Sequence, residues 1–157
     1  MGAAYFYHLT ETPLEATLPM LIGKARGAGW RVLVRGRDAA LLDRLDDVLW
    51  QGPHDGFLPH GRAGGPHDAD QPVLLGNDVA VTGFACVMSV GGADVTAQEV
   101  ATLDRTCILF DGHDTQALTH ARGQWKALTD AGCAAQYWAQ DGGRWTKKAE
   151  KGGAAAG

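Results

Sequence analysis

The sequence predicts an α/β fold: a single domain built on a mostly parallel β-sheet with helices on both of its faces. Short apolar runs recur along the chain, and between them lie longer segments in which apolar residues repeat at helical spacing. Strands without a polar face are typical of a parallel sheet that helices cover on both sides. The length of 157 residues and the hydrophobic content of 45% suit one domain with its own core.

Six apolar runs are predicted to form the strands of this sheet. The first has the sequence AYFYHL and is rich in aromatic residues, whereas later runs such as RVLVRG and TCILF are rich in leucine and β-branched residues. Because the centre of each run is apolar, we expect these strands to be buried. They cover residues 4–9, 31–36, 73–75, 84–90, 106–110 and 133–140.

Four helices are predicted beside these strands. The first begins suitably with Pro13, and Pro19 predicts a bend inside it. The second carries five apolar side chains on one face, and the last is closed by Gly132. The four helices are predicted over residues 13–29, 37–50, 93–104 and 114–130.

Two segments show neither pattern. Residues 51–72 form a loop rich in Gly, Pro and His, and loops of that length in compact domains tend to be functional or disordered. The end of the chain has the sequence KKAEKGGAAAG and little apolar surface to bury. We therefore predict a domain over residues 1–147 and a flexible tail over residues 148–157.

Composition and charge exclude several classes of protein. The formal net charge of −4 argues against strong direct binding to DNA, because contacts with phosphates favour a basic protein. No apolar run approaches the roughly 18 residues of a membrane span, and the N-terminal residues show no signal-peptide pattern. Cys86, Cys107 and Cys133 are odd in number and widely spaced, so we expect free thiols in a cytoplasmic protein.

Motifs of nucleotide-binding and catalytic sites are missing from the sequence. The loop after the first strand, TETPLE, has no glycine to bring its backbone close to a phosphate, and the GxxxxGK[ST] pattern does not occur. Ser89 is the only serine and lies outside any GxSxG pattern. His54, His60 and His67 share the long loop without the spacing of zinc ligands. We expect no catalytic residue, no cofactor and no metal; an enzyme using the histidine-rich loop is the least supported alternative.

The segment 121–132, ARGQWKALTDAG, places positive charge around an aromatic ring. Arg122 and Lys126 are four residues apart with Trp125 between them, so on a helix all three lie on neighbouring turns of one side. This group suits an anionic partner with an apolar part. The same pattern also fits an amphipathic helix with Trp125 in the core. The positions spaced for that second interpretation are Leu118, Ala121, Trp125 and Leu128.

A family resemblance is carried by two segments, LDDVLWQGPHDGFLPHG (45–61) and ARGQWKALTDAG (121–132), preceded by FYHLT and RVLVRG. Together they resemble the chi subunit of bacterial DNA polymerase III holoenzyme, and the resemblance covers about residues 4–147 in the same order. It implies an α/β fold similar to that of nucleotide-binding proteins but without their phosphate loop. It also implies an accessory replication protein with no catalytic activity of its own.

Proteins of that family link the clamp loader, through the psi subunit, to the acidic tail of single-stranded-DNA-binding protein, which ends in Pro-Phe. The resemblance assigns Arg122 to the terminal carboxylate of this tail, Trp125 to the wall beside its phenylalanine ring, and Lys126 to its other acidic residues. Leu118 stands where some relatives have a lysine. Additional tail contacts are expected at Arg144, Trp145, Lys147 and Lys148.

A second surface, for psi or another clamp-loader component, is also implied by the resemblance. Its expected residues are Trp50, Phe57, Pro59 and His60. Taken without the resemblance, Trp50 and Phe57 equally suit packing against the core. The sequence also leaves open a general adaptor that binds the same acidic tail but serves a repair helicase.

Overall fold

The computed structural model describes residues 2–50, 60–64, 71–77 and 79–151. These residues form four helices and eight strands. In chain order they are β1 (Ala3–Leu9), α1 (Leu14–Gly27), β2 (Val32–Arg35), α2 (Ala39–Trp50), β3 (His60–Arg62), β4 (Val73–Gly76), β5 (Cys86–Ser89), α3 (Ala97–Thr102), β6 (Arg105–Asp111), α4 (Thr115–Asp130), β7 (Ala134–Asp141) and β8 (Arg144–Lys151).

All eight strands belong to one sheet with the order β3-β4-β2-β5-β6-β1-β7-β8. Every neighbouring pair is parallel except β7 and β8, which are antiparallel. Helices α1 and α2 contribute to the core on one face of the sheet, and α3 and α4 to the core on the other. The predicted α/β fold with a mostly parallel sheet and helices on both faces is therefore confirmed.

Strand β1 lies between β6 and β7 and contributes side chains to the cores on both faces of the sheet. It pairs with β6 on one side and β7 on the other. Successive side chains of a strand point to opposite faces, so Phe6 packs in the core with α3 and α4 while Tyr7 and Leu9 pack in the core with α1 and α2. The predicted burial of this strand follows from its position between two neighbours.

The predicted helices are present with shorter bounds. Helix α1 is continuous through Pro19. The predicted segment 93–104 contains only α3, whose first turn is fixed by a capping box in which the Thr96 hydroxyl and the Glu99 carboxylate each accept a backbone N–H of the other residue. Arg35, 9% exposed, ties α3 to the sheet by a two-pronged pair with Glu99, and this pair lowers the pKa of the Glu99 carboxyl.

Two strands, β3 and β8, were not predicted from the sequence. Strand β3 has only three residues and lies in the predicted long loop, where it pairs with β4. Strand β8 is almost entirely polar and exposed, and it joins β7 through a turn at Gly142 and Gly143, whose φ angles are +60° and +79°. Residues 148–151, which we predicted to be part of a flexible tail, belong to β8. Residues 152–157 of that tail lie outside the described residues.

The loop between β1 and α1 is fastened to the turn between β7 and β8. Backbone N–H groups of Thr10, Glu11 and Thr12 all donate to the Oε1 atom of Gln140, at 3.0, 2.8 and 3.0 Å. In return, the Glu11 carboxylate accepts the N–H groups of the turn, at 3.1 Å from Gly142 and 2.7 Å from Gly143. We call this reciprocal set of hydrogen bonds the clasp.

Replacing Gln140 with alanine should destabilise the fold, because three backbone donors lose their shared acceptor. We expect the free energy of unfolding to fall by about 1–3 kcal/mol, measured by chemical denaturation. Gln136→Ala on the same strand is the matched control, since that side chain bonds only the exposed Glu150 and the indole of Trp138. Equal losses in the two variants would show that the clasp adds nothing specific.

Candidate functional site

Helix α4 carries the three predicted tail-binding residues and is well defined by its sequence. The Asp114 carboxylate caps its start by accepting the N–H groups of Gln116 and Ala117. After its last turn, Gly132 has a φ of +92°, which a glycine adopts without strain. Along its buried side lie Ala121 and Leu128, with Leu118 and Trp125 partly buried.

Trp125 is held against the sheet by two other aromatic rings. Its ring centroid lies 5.3 Å from that of Phe6 and 6.0 Å from that of Tyr137, and both contacts are edge-to-face. Phe6 and Tyr137 are themselves stacked across β1 and β7, with their centroids 6.4 Å apart. Because Trp125 stays half-exposed, it is both part of the core and available at the surface, so each of the two interpretations of its spacing accounts for part of it.

Arg122 lies near the hydroxyl of Tyr137. Burial raises the pKa of Tyr137, and the positive charge of Arg122 partly opposes that rise. The Tyr137 oxygen is 2.9 Å from Nδ1 of His8. Arg122 is exposed, and no hydrogen bond or salt bridge joins it to any residue of the described ranges. Within the described residues, the donors of its guanidinium are therefore not used by the protein.

Lys126 has a different environment from Arg122. Its side chain is 78% exposed, and its ammonium group lies 2.8 Å from the carboxylate of Asp130, one turn further along α4. This contact raises the pKa of Lys126 and lowers the pKa of Asp130. The predicted cation is thus present on the correct side of the helix, already paired with a carboxylate of the same chain.

Only some of the β8 residues that we predicted as tail contacts lie on the face of the sheet that α4 covers. Directly paired residues of antiparallel strands share a face, so exposed Ala149 lies beside Tyr137 and Lys151 beside Ala135, on the α4 side. A register shift between Tyr137 and Trp138 makes Lys148 the extra residue of β8. Its ammonium group reaches Asp141, at 3.4 Å.

The other predicted contacts at the end of the chain divide between the two faces. Arg144 pairs with Asp141 and shares its face. Trp145 packs edge-to-face on Tyr7 at 5.3 Å, in the core with α1 and α2. Lys147 lies opposite Trp138, on that same face, and pairs with Glu150. Trp145 and Lys147 are therefore separated from Trp125 by the sheet.

The residues predicted for a clamp-loader contact lie mostly outside the described part of the chain. Trp50 ends α2, but its side chain is not described, and Phe57 and Pro59 fall in the undescribed segment 51–59. His60 begins β3 and is buried, with Nε2 3.3 Å from the backbone oxygen of Asp46 at the end of α2. An ion pair between Arg62 and Asp43 also joins β3 to α2.

A cavity of about 690 Å³ lies at the carboxyl ends of β1, β5 and β6. Doubly wound sheets bind their ligands at this edge, where the first loop commonly holds phosphate through its N–H groups. Here those N–H groups are occupied by Gln140, and Glu11, Asp111 and Asp114 add carboxylates to the cavity wall. Arg37 and Arg44 also line the cavity, so its wall carries charges of both signs. What the cavity lacks is a first loop with free backbone N–H groups for a phosphate.

Within residues 2–50, 60–64, 71–77 and 79–151, no three His, Cys, Asp or Glu side chains are grouped to hold a metal ion. No helix in the same part of the chain is both long and apolar enough to cross a membrane. His54 and His67 lie outside the described residues.

The fold and its closed first loop define a doubly wound α/β protein that lacks the phosphate-binding loop of nucleotide-binding members of this class. A comparison with family models finds a match over residues 1–136 to the family described as DNA polymerase III chi subunit, HolC. The chain belongs to that chi subunit family, and its role is that of an accessory protein in DNA replication. The comparison with curated proteins finds no match.

The partly buried imidazole of His8 should give the fold a measurable pH dependence. Burial, with a smaller contribution from the charge of His113, lowers the pKa of His8 below its usual 6.5. The folded state then binds fewer protons than the unfolded state, so this stabilisation is complete above about pH 6.5 and is lost as the pH falls through the lowered pKa.

We expect the free energy of unfolding of the His8→Gln variant to depend less on pH between 7 and 5 than that of the wild type. Tyr137→Phe removes the hydroxyl but leaves the imidazole buried, so it should retain most of the wild-type slope. Denaturant titrations at several pH values measure all three slopes. Identical slopes for His8→Gln and wild type would contradict the assignment.

Proposed function

We propose that this chi-family protein links the clamp loader to the acidic C-terminal tail of single-stranded-DNA-binding protein, and that the tail binds beside α4. The observation that carries the proposal is that an exposed Arg122, without a hydrogen bond or ion pair to any described residue, lies near the partly exposed ring of Trp125 on the same helix. A peptide that ends in a phenylalanine needs both an apolar seat and a partner for its terminal carboxylate.

The apolar seat lies between α4 and the β7–β8 hairpin. Trp125 forms one wall, Tyr137 forms the floor, and the small side chain of Ala149 beside Tyr137 leaves room for a ring. Phe6 supports both large rings from below. Leu118, partly buried near the same core, adds apolar surface where some relatives have a positive charge.

The terminal carboxylate of the tail is assigned to Arg122. A guanidinium offers two parallel N–H donors to a carboxylate, which a lysine does not. Lys126, Lys148 and Lys151 lie around the same region, where they favour the acidic residues that precede the terminal phenylalanine. This local positive charge in a chain with a net charge of −4 favours an acidic peptide over extended contact with DNA.

The second partner, psi or another clamp-loader component, is assigned to the end of α2 and the segment that follows it. Helices α2 and α4 cover opposite faces of the sheet, so two partners that bind at these places would not compete. His60 is buried against α2. In this proposal it fixes the segment between α2 and β3, while Trp50, Phe57 and Pro59 make the contact.

Removing the Arg122 guanidinium should weaken the binding of an acidic peptide ending in Pro-Phe. We expect Arg122→Ala to cost about 2–4 kcal/mol of binding free energy, the range for losing one partner of a partly buried charged pair. Arg122→Lys should recover only part of this loss, and Lys126→Ala should cost about 0.5–1 kcal/mol, with an effect that shrinks in salt. Fluorescence anisotropy with a labelled peptide measures each affinity.

The control for Arg122 uses the peptide as well as the protein. Amidating the terminal carboxylate should weaken wild-type binding as much as Arg122→Ala does, and the two changes together should cost less than their sum. Arg37→Ala removes an exposed arginine elsewhere and should leave binding unchanged. Full additivity of the amide and Arg122→Ala would mean that the two groups do not meet.

Replacing both Trp50 and Phe57 with alanine should weaken capture of the clamp-loader complex while leaving peptide affinity unchanged, because interface aromatics are frequent hot spots. A pull-down with the reconstituted complex, run beside the anisotropy titration, measures both properties. Circular dichroism checks that the variant is folded. Unchanged capture by a folded double variant would remove this surface from the proposal.

A further inference from the structure

Two carboxylates of the chain pair with two lysines that surround the proposed peptide site. Asp130 lies 2.8 Å from the ammonium group of Lys126, and Asp141 lies 3.4 Å from that of Lys148. All four side chains are well exposed, with Asp130 at 62% and Lys126 at 78%. Arg122 has no such partner within the described part of the chain.

The stability of α4 does not explain Asp130. It is the last residue of the helix, where the macrodipole disfavours a carboxylate and favours a cation. Its pair with Lys126 has the lysine on the N-terminal side, which is the weaker order for an ion pair four residues apart. Exposed pairs of this kind contribute about 1 kcal/mol or less to folding.

Asp130 lies at the end of α4, on the side of the helix that faces β8. The charge of Lys126 on α4 and, more weakly, that of Lys151 on β8 both lower the pKa of its carboxyl. Asp130 therefore presents a negative charge between the helix and the edge strand. An acidic residue of a peptide bound beside Trp125 and Tyr137 would need the same position.

We propose that Asp130 is an internal competitor of the peptide: its carboxylate occupies the place of an acidic peptide residue on Lys126, and the bound peptide displaces it. This inference rests on the proposed function. Binding then exchanges one carboxylate–ammonium pair for another at Lys126, whereas Arg122 gains a new partner. Arg122 accordingly supplies affinity, and the Lys126–Asp130 pair restricts the site to peptides with enough negative charge to displace Asp130.

The decisive variant is Asp130→Asn, which keeps the shape of the side chain and removes its charge. We expect it to bind the labelled acidic peptide about two- to fivefold more tightly than the wild type, the range that corresponds to an exposed ion pair. Asp47→Asn is the matched control, since Asp47 is exposed on α2 and its replacement changes the net charge equally. Asp47→Asn should leave the affinity within about 1.5-fold of wild type.

A double-mutant cycle separates competition at Lys126 from a general change in charge. Lys126→Ala should weaken binding about two- to fivefold more in the Asp130→Asn protein than in the wild type, because only there is the ammonium group free. The gain from Asp130→Asn should also shrink at high salt.

Three results would count against these assignments. Wild-type binding with an unchanged or weaker affinity in Asp130→Asn would overturn the inference and leave the proposed function standing. An equal gain in Asp47→Asn would also overturn the inference, since it would reduce the effect to net charge. Absence of any wild-type binding would overturn the proposed function, and the inference with it.

Discussion

The positions of α4 and of the β7–β8 hairpin depend on β1 and on the clasp at its end. Strand β1 is the only connection in the described sheet between the five strands from β3 to β6 in the strand order and the β7–β8 hairpin. Where β1 ends, Gln140 and Glu11 fix the loop and the hairpin turn to each other. The clasp adds to the other contacts that hold the hairpin, which are the pairing of β1 with β7 and the ring contacts of Tyr137 with Trp125 and of Trp145 with Tyr7.

This arrangement explains how the partly exposed ring of Trp125 stays ordered. Phe6 comes from β1, Tyr137 from β7 and Trp125 from α4, so the ring cluster needs all three elements in register. Arg122 lies close enough to Tyr137 for its charge to act on that hydroxyl, and it makes no hydrogen bond or ion pair to another described residue. The same clasp that fixes the hairpin also occupies the N–H groups of the loop in which related folds hold phosphate.

The α/β architecture was accessible from sequence because its buried strands and helices have regular apolar patterns. Strands β3 and β8 were not, because both lie at sheet edges, where one side of the backbone is unpaired and polar side chains are tolerated. A turn at Gly142 and Gly143 was the available signal for β8, but the residues after it, with four cations among eight, resemble a solvated tail. The prediction of a flexible tail was therefore wrong for residues 148–151, which belong to β8.

The candidate site was predictable only as far as one helix extends. Arg122, Trp125 and Lys126 are neighbours in sequence, so helical spacing brings them together. Tyr137 and Phe6 join them through the pairing of β1 with β7. No local sequence pattern predicts a contact between residues so far apart in the chain. Trp145 shows the opposite case: it is close in sequence to the lysines of β8, but the alternation of side chains along a strand sends it to the other core.

The pairing of β1 also constrains the order in which the sheet assembles. Ala3 pairs with Arg105 and Ala134, so β1 meets its two neighbours only when β6 and β7, far along the chain, are also present. Until then its aromatic residues have no sheet to join, and closing such long loops is entropically costly and slow. The proposed peptide site, which needs β1, α4 and β7 together, therefore forms only after these long-range pairings are in place.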